Sequence, residues 1–203
     1  MKVLNVGGCS KHIAIPQHYA GWDHLMLDID PSSDADIFCD SRCMVDQLPG
    51  HKGDFDAVYC SHNLEPYYRH DIPKVLAGLK FVLKDDGFIE IRVPNMRYIF
   101  EKIVKEGLDI DAVMYESDAG PIKAIDMIYG LGAYIEQSSS DFMCHKTGFT
   151  PKTLAETLYI NGFPHIFIGA SIEIVAYAFL NAPSIEKMKQ LNIKHSPIGE
   201  TTS

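Results

Sequence analysis

Short apolar runs that each stop at glycine or at an acid recur along the first ninety residues, and this recurrence constrains the fold more than any other feature. Lys2 to Val6 (KVLNV) stops at Gly7-Gly8, His24 to Asp28 (HLMLD) leads into Ile29-Asp30-Pro31, Ala35 to Asp40 reads ADIFCD, and Phe55 to Cys60 (FDAVYC) leads into Ser61-His62-Asn63. Runs this short, and apolar on both faces, read as buried strands rather than helices. After Asp71, an expected N-cap, apolar residues at Ile72, Val75, Leu76, Leu79, Val82 and Leu83 fall at helical spacing. Lys84-Asp85-Asp86-Gly87 is then expected to end that helix and launch a strand from Phe88 to Val93, closed by Pro94. Strands separated by helices through short connections predict an α/β fold, a mostly parallel sheet covered by helices on both faces.

The end of the chain follows another pattern. Thr150-Pro151 is an N-cap with proline at the first helical position, and Asn161-Gly162 is the matching stop. Pro164 to Ile168 and Ser171 to Leu180 are then separated only by Gly169-Ala170, too short a link for a crossover, so they must form an antiparallel hairpin. Residues 106–148 break the alternation, with one helix expected after Pro121 (PIKAIDMIYG), and read as an insertion or lid over one end of the sheet. The chain is thus read as a single domain over 1–181 with a polar tail, 182–203.

Composition narrows the function. With 203 residues, 46% of them hydrophobic, the chain can bury a full core without disulfide or metal staples. A net charge of −9 argues against non-specific binding to nucleic-acid phosphates, which needs clustered cations. No apolar run approaches the ~18 residues that would read as a membrane span, and MKVLNVGGCS shows no secretory signal pattern. Five scattered cysteines (Cys9, Cys39, Cys43, Cys60, Cys144) read as reduced thiols of a cytoplasmic protein, and Cys39 and Cys43 lack zinc-site spacing, so no metal is expected.

In an open parallel sheet, ligands bind beyond the carboxyl ends of the strands. The residues there are Gly7-Gly8-Cys9-Ser10, Asp28-Ile29-Asp30, Asp40-Ser41 and Ser61-His62-Asn63. Glycines after the first strand let backbone approach a ligand, and a carboxylate ending the second can accept both hydroxyls of a ribose. An acid about twenty residues after a glycine loop also suits a nicotinamide cofactor, although Gly-x-Gly-x-x-Gly is missing. Among the histidines, His62 and His145 are the candidates for acid–base work. Tyr67-Tyr68-Arg69-His70-Asp71 reads either as a substrate wall or as a polar lead-in to the helix. Tyr115, Tyr129 and Tyr134 read either as an acceptor lid or as packing.

The ordered series LNVGG, LDIDP, DIFCD, FDAVYCSHNLE and LKFVLKDDGFIEIRVPN resembles the class I S-adenosylmethionine-dependent methyltransferases of the small-molecule type. The later HKTGFTPKTL…NGF is similar to the closing helix of the same group. The resemblance covers roughly residues 1–105 and 145–180. It implies a Rossmann-like seven-stranded sheet of order 3-2-1-4-5-7-6 with strand 7 antiparallel, and methyl transfer from S-adenosylmethionine to a small-molecule hydroxyl or amine. It further implies that Gly7 and Gly8 face the methionine part of the cofactor, Asp28 holds the ribose, and Ile29 packs on adenine. Asp40 and Ser41 would then contact the adenine edge, while Ser61 and His62 line the gap to the acceptor. His62, at a strand end, is the expected base, titrating near ~6.5, with His145 as the alternative. Three positions depart from the pattern: Cys9 stands at a later glycine, Asn5 at a frequent acid, and Pro66 at the histidine of "LEH". The departures keep a non-catalytic, cofactor-binding relative acting through a partner in view, beside a nicotinamide-dependent oxidoreductase. With the first strand starting at residue 2, no N-terminal helix is expected over the site, so a lid comes from 106–148 or from a partner subunit of a homo-oligomer.

Overall fold

In the computed structural model, which describes residues 1–117, 120–138 and 141–193, the apolar runs pair into one seven-stranded sheet. The strands are β1 (Lys2–Val6), β2 (Asp23–Asp28), β3 (Ile37–Phe38), β4 (Phe55–Ser61) and β5 (Leu83–Pro94), completed by the hairpin of β8 (His165–Ala170) and β9 (Glu173–Phe179). A separate two-stranded hairpin, β6 (Val113–Ser117) and β7 (Gly120–Lys123), lies between them in the chain. The order across the large sheet is β3-β2-β1-β4-β5-β9-β8, with β9 antiparallel to both neighbours. Counted within that sheet alone, this is the expected 3-2-1-4-5-7-6.

Alternation along the strands sorts the core into two layers. Leu4, Val6, Val58, Cys60, Ile89, Ile91, Ala176 and Ala178 belong to a buried cluster shared with α1 (Met44–Gln47), α2 (Ile72–Val82) and α6 (Pro151–Ile160). Helix α2 buries Ile72, Val75, Leu76, Leu79 and Val82, each contributing about 1.5–3 kcal/mol by leaving water. The opposite layer holds Val3, Ala57, Phe88, Phe167 and Phe179. It is met by Tyr19 of a 3-10 turn (Gln17–Tyr19), by Trp22, and by Met188 and Leu191 at α7 (Ile185–Gln190). The crossover from β1 to β2 therefore carries a 3-10 turn where an α/β unit ordinarily carries a helix. A third cluster joins Met96 and Ile99 of α3 (Met96–Glu106) to Met114, Ile122, and Ala124 and Met127 of α4 (Ala124–Tyr129), and α5 (Gly132–Ser138) follows.

Several boundaries differ from the sequence reading. β5 begins at Leu83 rather than Phe88, because Leu83 pairs with Phe55 across a register shift, so Lys84 to Gly87 are strand, not turn. The terminal hairpin forms, but it turns at Ser171-Ile172, since Gly169 and Ala170 still pair with Val175 and Ile174. β3 shrinks to two residues. Pro121 lies in β7, and the helix expected after it starts at Ala124. Part of the segment read as a tail is helix α7, held by the apolar residues Met188, Leu191 and Ile193, while 194–203 lie outside the described residues.

Candidate functional site

Sheet register puts the candidate residues in one row. Val6 pairs with Leu27 on one side and Cys60 on the other, and Ser61 pairs with Arg92. The next residues, Gly7, Asp28 and Ser61, thus emerge together at the carboxyl edge. Because β9 runs antiparallel, its first residue, Glu173, lies beside Pro94 at this same edge.

The loop after β1 is built for close approach. Gly7 adopts φ +73°, and a β-carbon there would fall 2.0 Å from the Asn63 amide. One at Gly8 would fall 2.3 Å from Asn5. Asp28 clamps the loop: one carboxylate oxygen accepts from the Cys9 N–H at 3.0 Å and the other from the Asp30 N–H at 2.9 Å. Cys9 itself sits at φ +60°, the left-handed conformation that a β-carbon makes costly. Asn63 Oδ1 is buried without a hydrogen-bond partner. Beside it opens a cleft of about 280 Å³ lined by Ile29, Asn63, Tyr67, Tyr68, Phe142 and Lys146, among others. Ile29 is an exposed apolar side chain there, and Asp141, Phe142 and Lys146 bring the end of the insertion to its wall.

The row's outer members are less free. Asp40 caps the following turn through the Arg42 N–H and is clasped by the Arg42 guanidinium, whose Nη2 approaches to 2.6 Å; burial opposes its charge, but these donors hold its carboxyl below the ordinary range. Ser41 is buried, against Tyr67, whose phenol is pushed up to about 12, chiefly by burial.

The two histidines differ sharply. His62, at φ +50°, turns Nε2 to Glu173 Oε1 at 2.9 Å and Nδ1 to Glu65 Oε1 at 3.4 Å. Burial opposes the charged ring, yet the two carboxylates outweigh it and push the pKa up to about 10. This lies above the expected titration near ~6.5: a carboxylate at each nitrogen favours the imidazolium, which has no lone pair to accept a proton. His145 is the reverse case. Its Nδ1 lies 3.2 Å from the Met127 carbonyl, which only accepts, so Nδ1 carries the hydrogen and Nε2 the lone pair. Burial, with the charge of His62 in the same direction, outweighs the pull of Glu65 and of the Met127 and Ile128 backbone and lowers its pKa, which favours the neutral ring.

The structure thus brings Gly7, Gly8, Asp28, Ile29, Ser61 and His62 to one edge, with His145 within electrostatic reach of Glu65 and His62. Tyr67, Tyr68 and Asp71 line the cleft, which favours the wall over the polar lead-in. Tyr115 lies near enough to Glu173 to feel its charge. Asn63 stood in the expected row without a role, and sequence reasoning missed Glu65 and Glu173. Glu65 carried a signal, a carboxylate between Leu64 and Pro66 in an apolar stretch; Glu173 carried none, because its partner lies 111 residues away.

No family model matches the chain, and no curated protein matches it by sequence. Solved structures do. A SAM-dependent methyltransferase from Archaeoglobus fulgidus superposes with a TM-score of 0.54 at 15% identity, over 87% of this chain and 85% of that one. A SAM-dependent methyltransferase from Methanosarcina mazei gives 0.51 at 12% identity, over 89% and 93%. A Rhodobacter sphaeroides chain named for Zn-dependent alcohol dehydrogenases gives 0.55 at 11% identity, over 89% and 84%. At these identities the likeness is one of fold: this chain has the fold of the class I SAM-dependent methyltransferases. Among the described residues, no group of three or more His, Cys, Asp or Glu side chains is placed to hold a metal ion, and no helix is long and apolar enough to cross a membrane.

Proposed function

We propose that this protein transfers a methyl group from S-adenosylmethionine to a small-molecule acceptor. The observation that carries the reading is the loop at the carboxyl edge, where Gly7 and Gly8 leave room that a β-carbon would fill and Asp28 ends β2 beside them. The residues present fit the cofactor. The orphaned Asn63 Oδ1 suits the ammonium of its methionine part, Asp28 retains lone pairs for a ribose diol, and Ile29 offers an apolar face for adenine. Ser41 is buried and Asp40 is bound to Arg42, so any contact from these two comes through the clasped pair.

When bound, S-adenosylmethionine supplies a methyl group already activated by its positive sulfur, which leaves alignment and exclusion of water to the protein. The end of the insertion serves as the cover: Asp141, Phe142 and Lys146 already stand in the cleft wall. A hydroxyl acceptor also has a proton to lose, and His145 takes that task from His62, since its pKa is lowered while that of His62 is raised. An amine that arrives neutral needs no base at this stage.

The test is thermal melting with S-adenosylmethionine, S-adenosylhomocysteine and NADH, repeated on Asp28→Ala. The two adenosyl compounds should raise the melting temperature. Asp28→Ala should weaken their binding more than tenfold, since a hydrogen bond to a charged group contributes about 1.5–3 kcal/mol. Stabilisation by NADH alone would replace this reading with an oxidoreductase.

A further inference from the structure

Among the described residues, two carboxylates are sealed completely from solvent, Glu65 and Glu90. Glu90 is answered on all sides, by Arg92 Nε at 2.9 Å, Tyr19 OH at 2.8 Å and His18 Nε2 at 2.8 Å. Glu65 is not. Its Oε2 accepts the Leu64 N–H at 3.0 Å, but Oε1 has no hydrogen-bond partner. Among the described residues the only ion pair it makes is with His62, at 3.4 Å, close enough for charge attraction but off hydrogen-bond alignment. A buried carboxylate without an opposite charge is strongly unfavourable, so Glu65 and His62 have to be understood together. The backbone of the same residue does a second job. Its carbonyl accepts both the Lys146 N–H at 2.7 Å and the Thr147 N–H at 3.1 Å, directly after His145, whose own N–H donates to the Tyr129 carbonyl at 3.0 Å.

We propose that Glu65 is the positioning residue of this site: its buried carboxylate attracts the charged His62 ring from the Nδ1 side, opposite Glu173, and its carbonyl seats the segment that carries His145. One buried residue thereby fixes a charged and a neutral imidazole at the same sheet edge, the arrangement that separates acid from base roles. The catalytic consequence rests on the methyl-transfer reading and identifies the acceptor as a hydroxyl. Its O–H proton passes to Nε2 of His145. The oxygen's electron pair forms the new C–O bond, and the bond from methyl carbon to sulfur breaks with its pair left on sulfur. Glu65 and Glu173 together disfavour an acceptor that is already anionic.

The groups facing His62 are Glu65 from the loop after β4, Glu173 from β9, and His145 from the segment before α6. Arg92 of β5 stands behind Glu173 at 3.4 Å, and Tyr115 of β6 feels the charge of Glu173. The proposal is tested on the ligand-free protein by following the imidazole resonances against pH, with His62→Gln assigning the His62 signal. His62 should stay protonated well above pH 7. Glu65→Gln should lower its midpoint by one pH unit or more, a tenfold loss of proton affinity. Glu65→Asp keeps the charge but withdraws it by one methylene, so it should give a smaller fall and serves if the glutamine variant does not fold. Glu173→Gln should also lower the midpoint, while leaving amide exchange at Lys146 and Thr147 unchanged. A wild-type midpoint at or below the ordinary ~6.5, or one that neither Glu65 variant moves, overturns the proposal. Failure to bind S-adenosylhomocysteine with His62 still held protonated would remove the methyl-transfer reading and leave the role of Glu65 standing.

Discussion

Replacing Cys9 by glycine should make this protein more stable. At φ +60° the cysteine occupies the left-handed region, where its β-carbon crowds the following carbonyl at a cost of about 1–2 kcal/mol. The glycine variant removes that cost but gains freedom in the unfolded chain, which takes back about 0.5–1 kcal/mol. The native loop keeps its main bond, because the donor to Asp28 is the Cys9 backbone N–H and not the thiol. The side chain itself is exposed and free of any disulfide. Its thiol pKa is raised, by partial desolvation first and then by Asp28, Asp30 and Asp34, so the native cysteine is held in the poorly reactive form and the comparison reads the backbone. The net expectation is a gain of about 0.5–1 kcal/mol, or roughly 1–4 °C in a chain of this size. Denaturant melts at unchanged slope, together with thermal melts, would measure it. Cys9→Val is the control and should lose stability, since a β-branched residue tolerates this conformation worst. A glycine variant that melts lower than the parent, or a valine variant that melts the same, would refute the strain argument.

The remaining predictions concern the clamp and its loop. Because the folded pKa of His62 is raised to about 10, its ion pairs stabilise the fold fully below the unfolded value near ~6.5. That contribution is lost as pH rises through about 10. Urea melts of wild type and His62→Gln should converge across that interval; a stability difference that grows with pH would contradict the sign. Gly130 has φ +98°, and a β-carbon there would meet the Met143 carbonyl oxygen at 2.2 Å. Gly130→Ala should therefore displace residues 141–148 and raise hydrogen exchange at His145, while β1 and β4 stay protected. Uniform protection in that variant would show that the segment is not held where the structure puts it.

How much was legible in the sequence depended on the range of the interaction involved. The strands stood out because burial on both faces forces a continuous apolar run, and Thr150-Pro151 marked α6 because its signal is local; Thr150 Oγ1 does accept from the Thr153 N–H. Asn95 and Gly107 bracketed α3 in the same way and were available to a closer reading. Gly7 and Asp28 were legible as the end of one strand and the next, and sheet register then placed them side by side. The histidines show where such reasoning stops. Nothing near His62 in the chain announces Glu173, and without Glu173 the ring looks like an ordinary imidazole with a strand to fix it. Cys9 was legible as a cost in advance, since a residue standing at a glycine position becomes strained once the loop demands positive φ. Glu90 was hidden for another reason: a carboxylate in mid-strand looks solvent-facing until His18, Tyr19 and Arg92 are seen to enclose it.

The central claim is that the loop after β1 and the end of β2 form a seat for an adenosyl cofactor. Titrating isotopically labelled protein with S-adenosylhomocysteine and mapping the amide shifts tests it most directly. Saturable shifts should appear at Gly7, Gly8, Cys9, Asp28, Ile29 and Asn63 and spread to Lys146, with NADH producing none of them. No saturable shift, or shifts confined to another surface of the protein, would contradict it.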